Sequence, residues 1–421
     1  MPDPMWALVE DLYPICRSIT GDGLRATLDR IERDLPAPLV RSEVPTGTAV
    51  LDWTIPNEWN VRDAFIARPD GTRVVDFRTS NLHVVNYSVP VQARMSRDEL
   101  LPHLHTLPEH PNWVPYRTSY YVETWGFCLS QRALDALPDG EYDVCIDSTL
   151  APGSLTYGEL VLPGDDPAEV VLSAHVCHPS LADDNISSIA VATALARDLA
   201  SRPHRYTYRF IFAPGTIGTI AWLARNRDVV PRIRAGLTLT CLGDAAPFTY
   251  KRTIGGATEI DRAAAVALRD HGGDGHEIDY FPYGYDERQY NSPGFRAPIG
   301  SLMRGRHGQF PEYHTSADNL SFISAERLAE SLGVVRSIVD IVDGNGVYMN
   351  LAPEGEPQLG KRGLYRATGG SDLPDLNLAM LWVLALSDGT TDLIAIAERS
   401  NMPWSSIVAA ANLLHEGGLL G

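Results

Sequence analysis

Lysine is nearly absent from this 421-residue chain: Lys251 and Lys361 stand alone, and arginine supplies the rest of the 35 basic residues. That is a bias of coding composition and says little about chemistry. Positive charge is scarce overall, since 53 acidic residues leave a formal net charge of −18. A nucleic-acid binder needs a basic face to neutralise phosphates, so the balance argues against one. Cysteine is sparse as well. Cys16, Cys128, Cys145, Cys177 and Cys241 are odd in number, scattered, and form no C-x-x-C pair. Disulfide frameworks serve small secreted domains, so reduced and mostly buried thiols are expected. No apolar run approaches the roughly 18 residues that a membrane helix needs. The first ten residues hold Asp3 and Glu10 and no basic residue, unlike a secretory signal. These absences point to an acidic, soluble, cytoplasmic protein, and its length suits two or three domains.

What is present falls into three textures, with no repeat of 20 to 50 residues. Met5 to Leu35 reads as helical, from Leu8, Leu12, Ile15 and Ile19 and then Leu24, Leu28, Ile31 and Leu35. From Val50 to about Pro163 come short β-like runs, among them Arg73–Phe77, Leu82–Tyr87, Tyr120–Trp125 and Tyr142–Asp147. From Glu169 onward strands and helices alternate, which predicts a mostly parallel mixed sheet covered by helices. The strands are expected around Val170–Ala174, Tyr208–Ala213, Leu237–Leu242 and Ile299–Met303, with a long helix opened by Ser324. The tail predicts three helices, Leu376–Leu386, Asp392–Arg399 and Trp404–Glu416, a winged-helix or helix-turn-helix pattern. Between Asp375 and Gly421 its only Lys or Arg is Arg399. A recognition helix without basic residues is poorly equipped for phosphates, so packing or self-association is the expected role. The division expected is an α/β domain from 1–48 and 164–345, a β-rich inserted domain from 49–163, and a C-terminal winged-helix-like domain from 346–421.

Ligands bind such sheets at the carboxyl ends of the strands. There the segment Ser173–Ser187 holds His175, Cys177, His178, Asp183 and Asp184 within ten residues. Imidazole and carboxylate are natural zinc ligands. The alternative is a helix cap from Asp183, Asp184 or Asn185 beside a core histidine; five such residues together favour metal binding. Three more segments lie near strand ends: Cys241-Leu-Gly-Asp244, Gly284–Gly294 with Asp286, Glu287 and Arg288, and Glu312-Tyr313-His314-Thr-Ser-Ala-Asp318. Trp53, Trp59, Trp113, Tyr120, Tyr121 and Trp125 either line a sugar-binding face or form the β-rich core, and core burial is the commoner use of large aromatics.

In that order the motifs resemble the zinc aminopeptidase-like fold, which includes bacterial leucyl-type exopeptidases and glutaminyl cyclases. The chain is similar to a bacterial aminopeptidase-like family with a β-rich insertion and a C-terminal winged helix, met near polysaccharide or natural-product biosynthesis. The stretches Leu51–Trp59, Ser119-Tyr-Tyr, Trp125–Cys128, Ser173–Ser187, Gly284–Gly294, Tyr313–Asn319 and Leu386–Gly389 carry the resemblance. It implies that His175, Asp184 and His314 are zinc ligands, with His178 competing with His175 for the first position. Asp244 matches the region that gives two-metal relatives a further carboxylate, and Asp286 an acid that supports a ligand.

One position departs from the family. After the strand ending at Ala213 relatives usually place a glutamate, the base that takes a proton from metal-bound water. This chain has Gly215-Thr216. Glycine moves no proton, and general-base help is worth roughly 10²–10⁴-fold. Threonine is also a poor substitute for a carboxylate ligand, so one zinc ion is expected rather than two, with Glu287 as the first substitute base to test. The resemblance implies hydrolysis of an amide or peptide bond in a small aminoacyl conjugate from a biosynthetic pathway. Asp183, Glu287 and Glu312 suit a substrate ammonium and Arg288 a carboxylate; Asp244, Asp286 and Tyr313 complete the expected substrate-binding set. The alternative is an inactive member that binds metal and ligand, or assembles with itself through the β-rich or C-terminal domain.

Overall fold

The computed structural model describes residues 3–273, 275–364 and 374–421. Among these, the run Val170–Ala174 lies in the strand Asp166–His175, whose last seven residues are all buried. Continuous burial marks a strand covered on both faces. It sits inside an eight-stranded sheet ordered Val40–Pro45, Ser154–Leu162, Tyr206–Ala213, Asp166–His175, Ile233–Leu239, Ile299–Met303, Thr249–Lys251 and His276–Ile278. The four strands from Tyr206–Ala213 to Ile299–Met303 are mutually parallel, while both flanks bring in antiparallel pairs. All four central strands therefore deliver their carboxyl ends to one edge.

Each face of the sheet has its own core. One collects Leu8, Leu28, Ile189, Leu195, Val266 and Ile338 from the covering helices. The other joins Ile217 and Trp222 to Ile66, Val144 and Ile146 of a second sheet. That second sheet is antiparallel and four-stranded, in the order Arg73–Asp76, Glu58–Ala67, Glu141–Ala151 and Val91–Ser96.

Three sequence expectations need correction. The first helix covers Pro4–Leu12 and stops there, so Ile15 and Ile19 are not helical. Pro14 marks that end because it has no N–H to carry the helical ladder on, while Tyr13 keeps helical backbone and donates to Val9 O. The second helix, Asp22–Glu32, starts after Gly21, whose φ of 94° suits glycine. Leu82–Tyr87 contains one 3₁₀ turn, Asn81–His83, and no extended ladder. Tyr120–Trp125 is an irregular loop tied back through Val89 N–H to Thr124 O at 3.0 Å.

The tail forms Pro374–Leu386, Leu393–Ser400 and Trp404–Glu416, with Val347–Met349 paired antiparallel to Asp388–Asp392. It is bolted to the helix Glu259–His271. Arg262 reaches Asp392 and Glu398 at 2.9 and 2.8 Å, and Arg269 donates to the carbonyls of Ala397 and Met402. Asp270 accepts from the Trp404 N–H at 2.6 Å. No helix among the described residues is long and apolar enough to cross a membrane. All five cysteines are free thiols, with Cys128, Cys177 and Cys241 buried.

Candidate metal centre

The carboxyl edge of the central strands gathers the chemistry. The strand Asp166–His175 ends on His175, which is 3% exposed. The chain then runs through His178 and returns at Asp183-Asp184 before the helix Ser188–Ala200. That helix takes no side-chain cap from Asp183, Asp184 or Asn185, so the capping alternative does not apply. Those side chains do other work. Asn185 donates to the His175 and Leu239 carbonyls and accepts from Cys241 N–H, stitching two strand ends together. Asp318 accepts the N–H groups of Asp183 and Asp184 at 2.6 and 3.0 Å, which fixes the turn that presents Asp184.

Three imidazoles converge on the Asp184 carboxylate. His175 Nε2 lies 2.8 Å from Oδ1, while His178 Nδ1 and His314 Nε2 lie 3.2 and 3.0 Å from Oδ2. Donor atoms of His175, His178 and Asp184 all fall within 4.8 Å of one another. Histidines 175 and 178 are thus both beside the carboxylate. Burial would raise the Asp184 pKa, yet His178 and the three imidazole hydrogen bonds hold it well below the usual range. Burial pushes His175 down to about 4 against the pull of Asp184. His314, also lowered by burial, reaches the centre from a loop held by the β-rich lobe. Tyr116 N–H donates to His314 O at 2.8 Å, and Ser316 N–H to Val114 O at 2.8 Å. A fully buried arginine, Arg17, donates to the His178 carbonyl at 3.0 Å and so anchors the other histidine loop.

Other predicted site residues are placed differently. Asp183 is 0% exposed, accepts Gly243 N–H at 2.7 Å, and has its second oxygen unpartnered. Its pKa is raised well above normal by burial and then by Asp244 and Asp318. Asp244 accepts the N–H groups of Ala246 and Gly305. These two acids sit in the wall as supports rather than at an accessible surface. Glu287 is 1% exposed and gripped by Lys251 Nζ at 2.7 Å and by Tyr285 N–H at 3.0 Å. A carboxylate bound on both oxygens is a strut, not a free base. Asp286 is buried, and burial followed by the Glu287 charge lifts it to about 7. Arg288 is exposed on the turn Glu287–Tyr290. Glu312 is half-buried, and Tyr313 stacks on the His314 ring with centroids 4.0 Å apart.

Sequence reasoning missed Tyr285. Its ring centroid is 4.0 Å from that of His175, and its hydroxyl lies 3.3 Å from His178 Nε2 and Cys177 Sγ and 3.2 Å from Gly215 O. A Cβ built on Gly215 would lie 2.0 Å from Tyr285 Cε1. The phenol fills the space that a side chain at 215 needs. Tyr285 stands inside a segment singled out by its acids, but nothing in a loop's sequence tells which side chain turns inward. Tyr116, edge-on to both His178 and His314, and the buried His307 were missed for the same reason.

The class that the fold and site define is a parallel-centred α/β sheet with a histidine–aspartate cluster at its carboxyl edge. The chain belongs to the family described as domain of unknown function (DUF4910), whose model matches residues 6–345; a winged helix-turn-helix model matches 346–421. It is 48% identical, over 99% of its length and 95% of the relative's, to a Clostridium acetobutylicum protein provisionally named for polysaccharide biosynthesis with an aminopeptidase-like domain. A crystal structure from that organism, described as a candidate peptidase, is 46% identical with a TM-score of 0.94, covering 99% of this chain and 95% of that one. A Bacillus subtilis zinc aminopeptidase shares the fold at 15% identity and a TM-score of 0.57, covering 80% of this chain and 94% of that one.

Proposed function

We propose that this protein is a zinc-dependent hydrolase of an amide or peptide bond in a small conjugate belonging to a biosynthetic pathway. The observation that carries the reading is the convergence of three imidazoles on one buried carboxylate at 2.8–3.2 Å. Nitrogen and carboxylate donors at such spacing are what zinc requires. The donor set is His175, His178, Asp184 and His314, and one ion is proposed. When bound, zinc supplies Lewis-acid polarisation of a carbonyl and a water of lowered pKa. The protein's own part is orientation. Asp318 fixes the Asp184 turn, Arg17 the His178 loop, and the Tyr116 backbone the His314 loop. Tyr285 places beside His178 a hydroxyl that donates to Gly215 O and, turned from that carbonyl, can donate to a developing oxyanion. Half-buried Glu312 is proposed to receive a substrate ammonium. The role of the relative in polysaccharide biosynthesis, as its name has it, supports a biosynthetic conjugate.

The packing of Tyr285 against Gly215 favours a second reading: a binding protein that keeps the site without the base. Without a carboxylate at 215, turnover is expected to fall by roughly 10²–10⁴-fold relative to base-equipped enzymes. The test is a panel of aminoacyl-amides and N-acylated sugars offered to the zinc-loaded chain and to His314→Ala. Cleavage lost in the variant supports the hydrolase. Inertness across the panel, with zinc still bound, establishes the second reading.

A further inference from the structure

Beside the cluster opens a cavity of about 290 Å³, with His178, His314 and Gly215 in its wall. The rest of the wall is mostly aromatic rings and hydroxyls, from Trp53, Tyr116, Tyr120, Tyr121 and Tyr285 with Thr118 and Thr216, and Ile19 and Ile217 add two aliphatic side chains. Among the described residues no lysine, arginine, aspartate or glutamate lines it. Away from the His178 and His314 end, where the metal is proposed, a charged group entering here would lose water without finding a counter-charge. The aromatic part of the cavity thus disfavours the free ammonium of a peptide N-terminus.

The rim separates the uncharged possibilities. Trp53 and Tyr121 are 45% and 52% exposed, with ring centroids 5.4 Å apart at 53° to each other. Large aromatics left open beside a site are binding groups more often than packing defects. Trp53 rides on the hairpin Ala49–Val50 with Trp53–Thr54, while Tyr116 to Tyr121 belong to the loop that holds the His314 backbone. Below the rim Tyr116 and Tyr120 hydroxyls pair at 2.9 Å, each retaining hydrogen-bonding capacity. An aromatic or aliphatic side chain would bury the one O–H not used in that pair without an acceptor. A polyhydroxylated ring satisfies it and lays its C–H face on the indole.

We infer that this cavity seats the neutral sugar ring of the substrate, so that the scissile amide joins an acyl or aminoacyl group to an amino sugar. The inference rests on the hydrolase reading for the word scissile only; the seat itself is a binding site with or without turnover. The six aromatics of the β-rich lobe divide accordingly: Trp59 is buried core, Trp113 and Trp125 stack on His110 and His103, and Trp53, Tyr120 and Tyr121 face the cavity.

The experiment is calorimetric titration of the full chain with N-acetylglucosamine, glucosamine and leucinamide, repeated on Trp53→Ala and Tyr121→Ala. Both side chains are exposed, so the variants fold. The expected result is saturable binding of N-acetylglucosamine, about tenfold or more weaker binding of the two cations, and a loss of about tenfold in each variant. Leucinamide binding as tightly as the sugar overturns the inference, as does sugar affinity unchanged by Trp53→Ala or no saturation below about 50 mM. Hydrolysis of leucine amides without sugar binding would refute the sugar seat and leave the hydrolase. Trp53-dependent sugar binding without hydrolysis of any amide would do the reverse.

Discussion

Gly215 and Tyr285 are a coupled pair, and their coupling can be measured. A methyl group on Gly215 would meet Tyr285 at Cε1, Cζ and the hydroxyl oxygen at 2.0, 2.6 and 2.8 Å. The ring cannot swing aside cheaply. Its backbone N–H is bonded to Glu287, whose carboxylate is bonded in turn to Lys251, and its hydroxyl to Gly215 O. Overpacking of this kind costs about 1–3 kcal/mol. Replacing glycine by alanine recovers about 0.4–1 kcal/mol through the unfolded chain. Gly215→Ala should therefore destabilise by up to about 2.6 kcal/mol, toward the upper end because the contact is as close as 2.0 Å. In a Tyr285→Ala background the collision disappears, and the same change should become neutral or slightly stabilising. Urea unfolding of the four proteins, followed by tryptophan fluorescence, gives the coupling energy directly. Equal costs of Gly215→Ala in both backgrounds would show that Tyr285 does not occupy that space. The same logic governs restoration of a base: Gly215→Glu is expected to need Tyr285→Ala beside it before a carboxylate fits.

Other consequences concern the supports of the site. Asp318→Asn turns an NH₂ toward one of two backbone N–H donors, so zinc affinity measured by chelator competition should fall about 10–100-fold while the fold survives; unchanged affinity would remove Asp318 from the site. Glu58 is held by Arg25 at 2.7 Å, and that bond, against burial, lowers its pKa to about 2 from an ordinary 4.5. Its stabilisation is complete above pH about 4.5 and lost as pH falls toward 2, an effect of about 1–2 kcal/mol after discounting for solvent. Glu58→Gln should flatten the stability profile in that acid window; an unaltered profile would refute the assignment. Arg262→Ala removes the contacts to Asp392 and Glu398, and should expose the C-terminal helices to faster proteolysis than the sheet.

The architecture was largely legible because burial writes itself into sequence. Val170–Ala174 reads as a two-sided strand, Ile299–Met303 matches its observed bounds, and Ser324 does cap Ala325–Gly344 with its hydroxyl. His175, Asp184 and His314 were visible as chemistry at strand ends, and the structure brings them together with His178. What escaped lies in loops. No periodicity tells that Tyr285 turns inward while Arg288 turns out. Long-range pairing likewise hid the fact that Lys251 neutralises Glu287, 36 residues away. The division of the six lobe aromatics into core and rim depends on how the hairpin and loops outside the second sheet fold back, since only Trp59 lies in that sheet.

Zinc-edge anomalous diffraction from crystals of the full chain grown with zinc addresses the metal site most directly. The prediction is one strong peak bounded by Asp184, His314 and the histidines 175 and 178, at about 2.0–2.2 Å from its ligand atoms. Density placing zinc elsewhere, or none beside Asp184 in a crystal that holds zinc at other sites, would contradict the account.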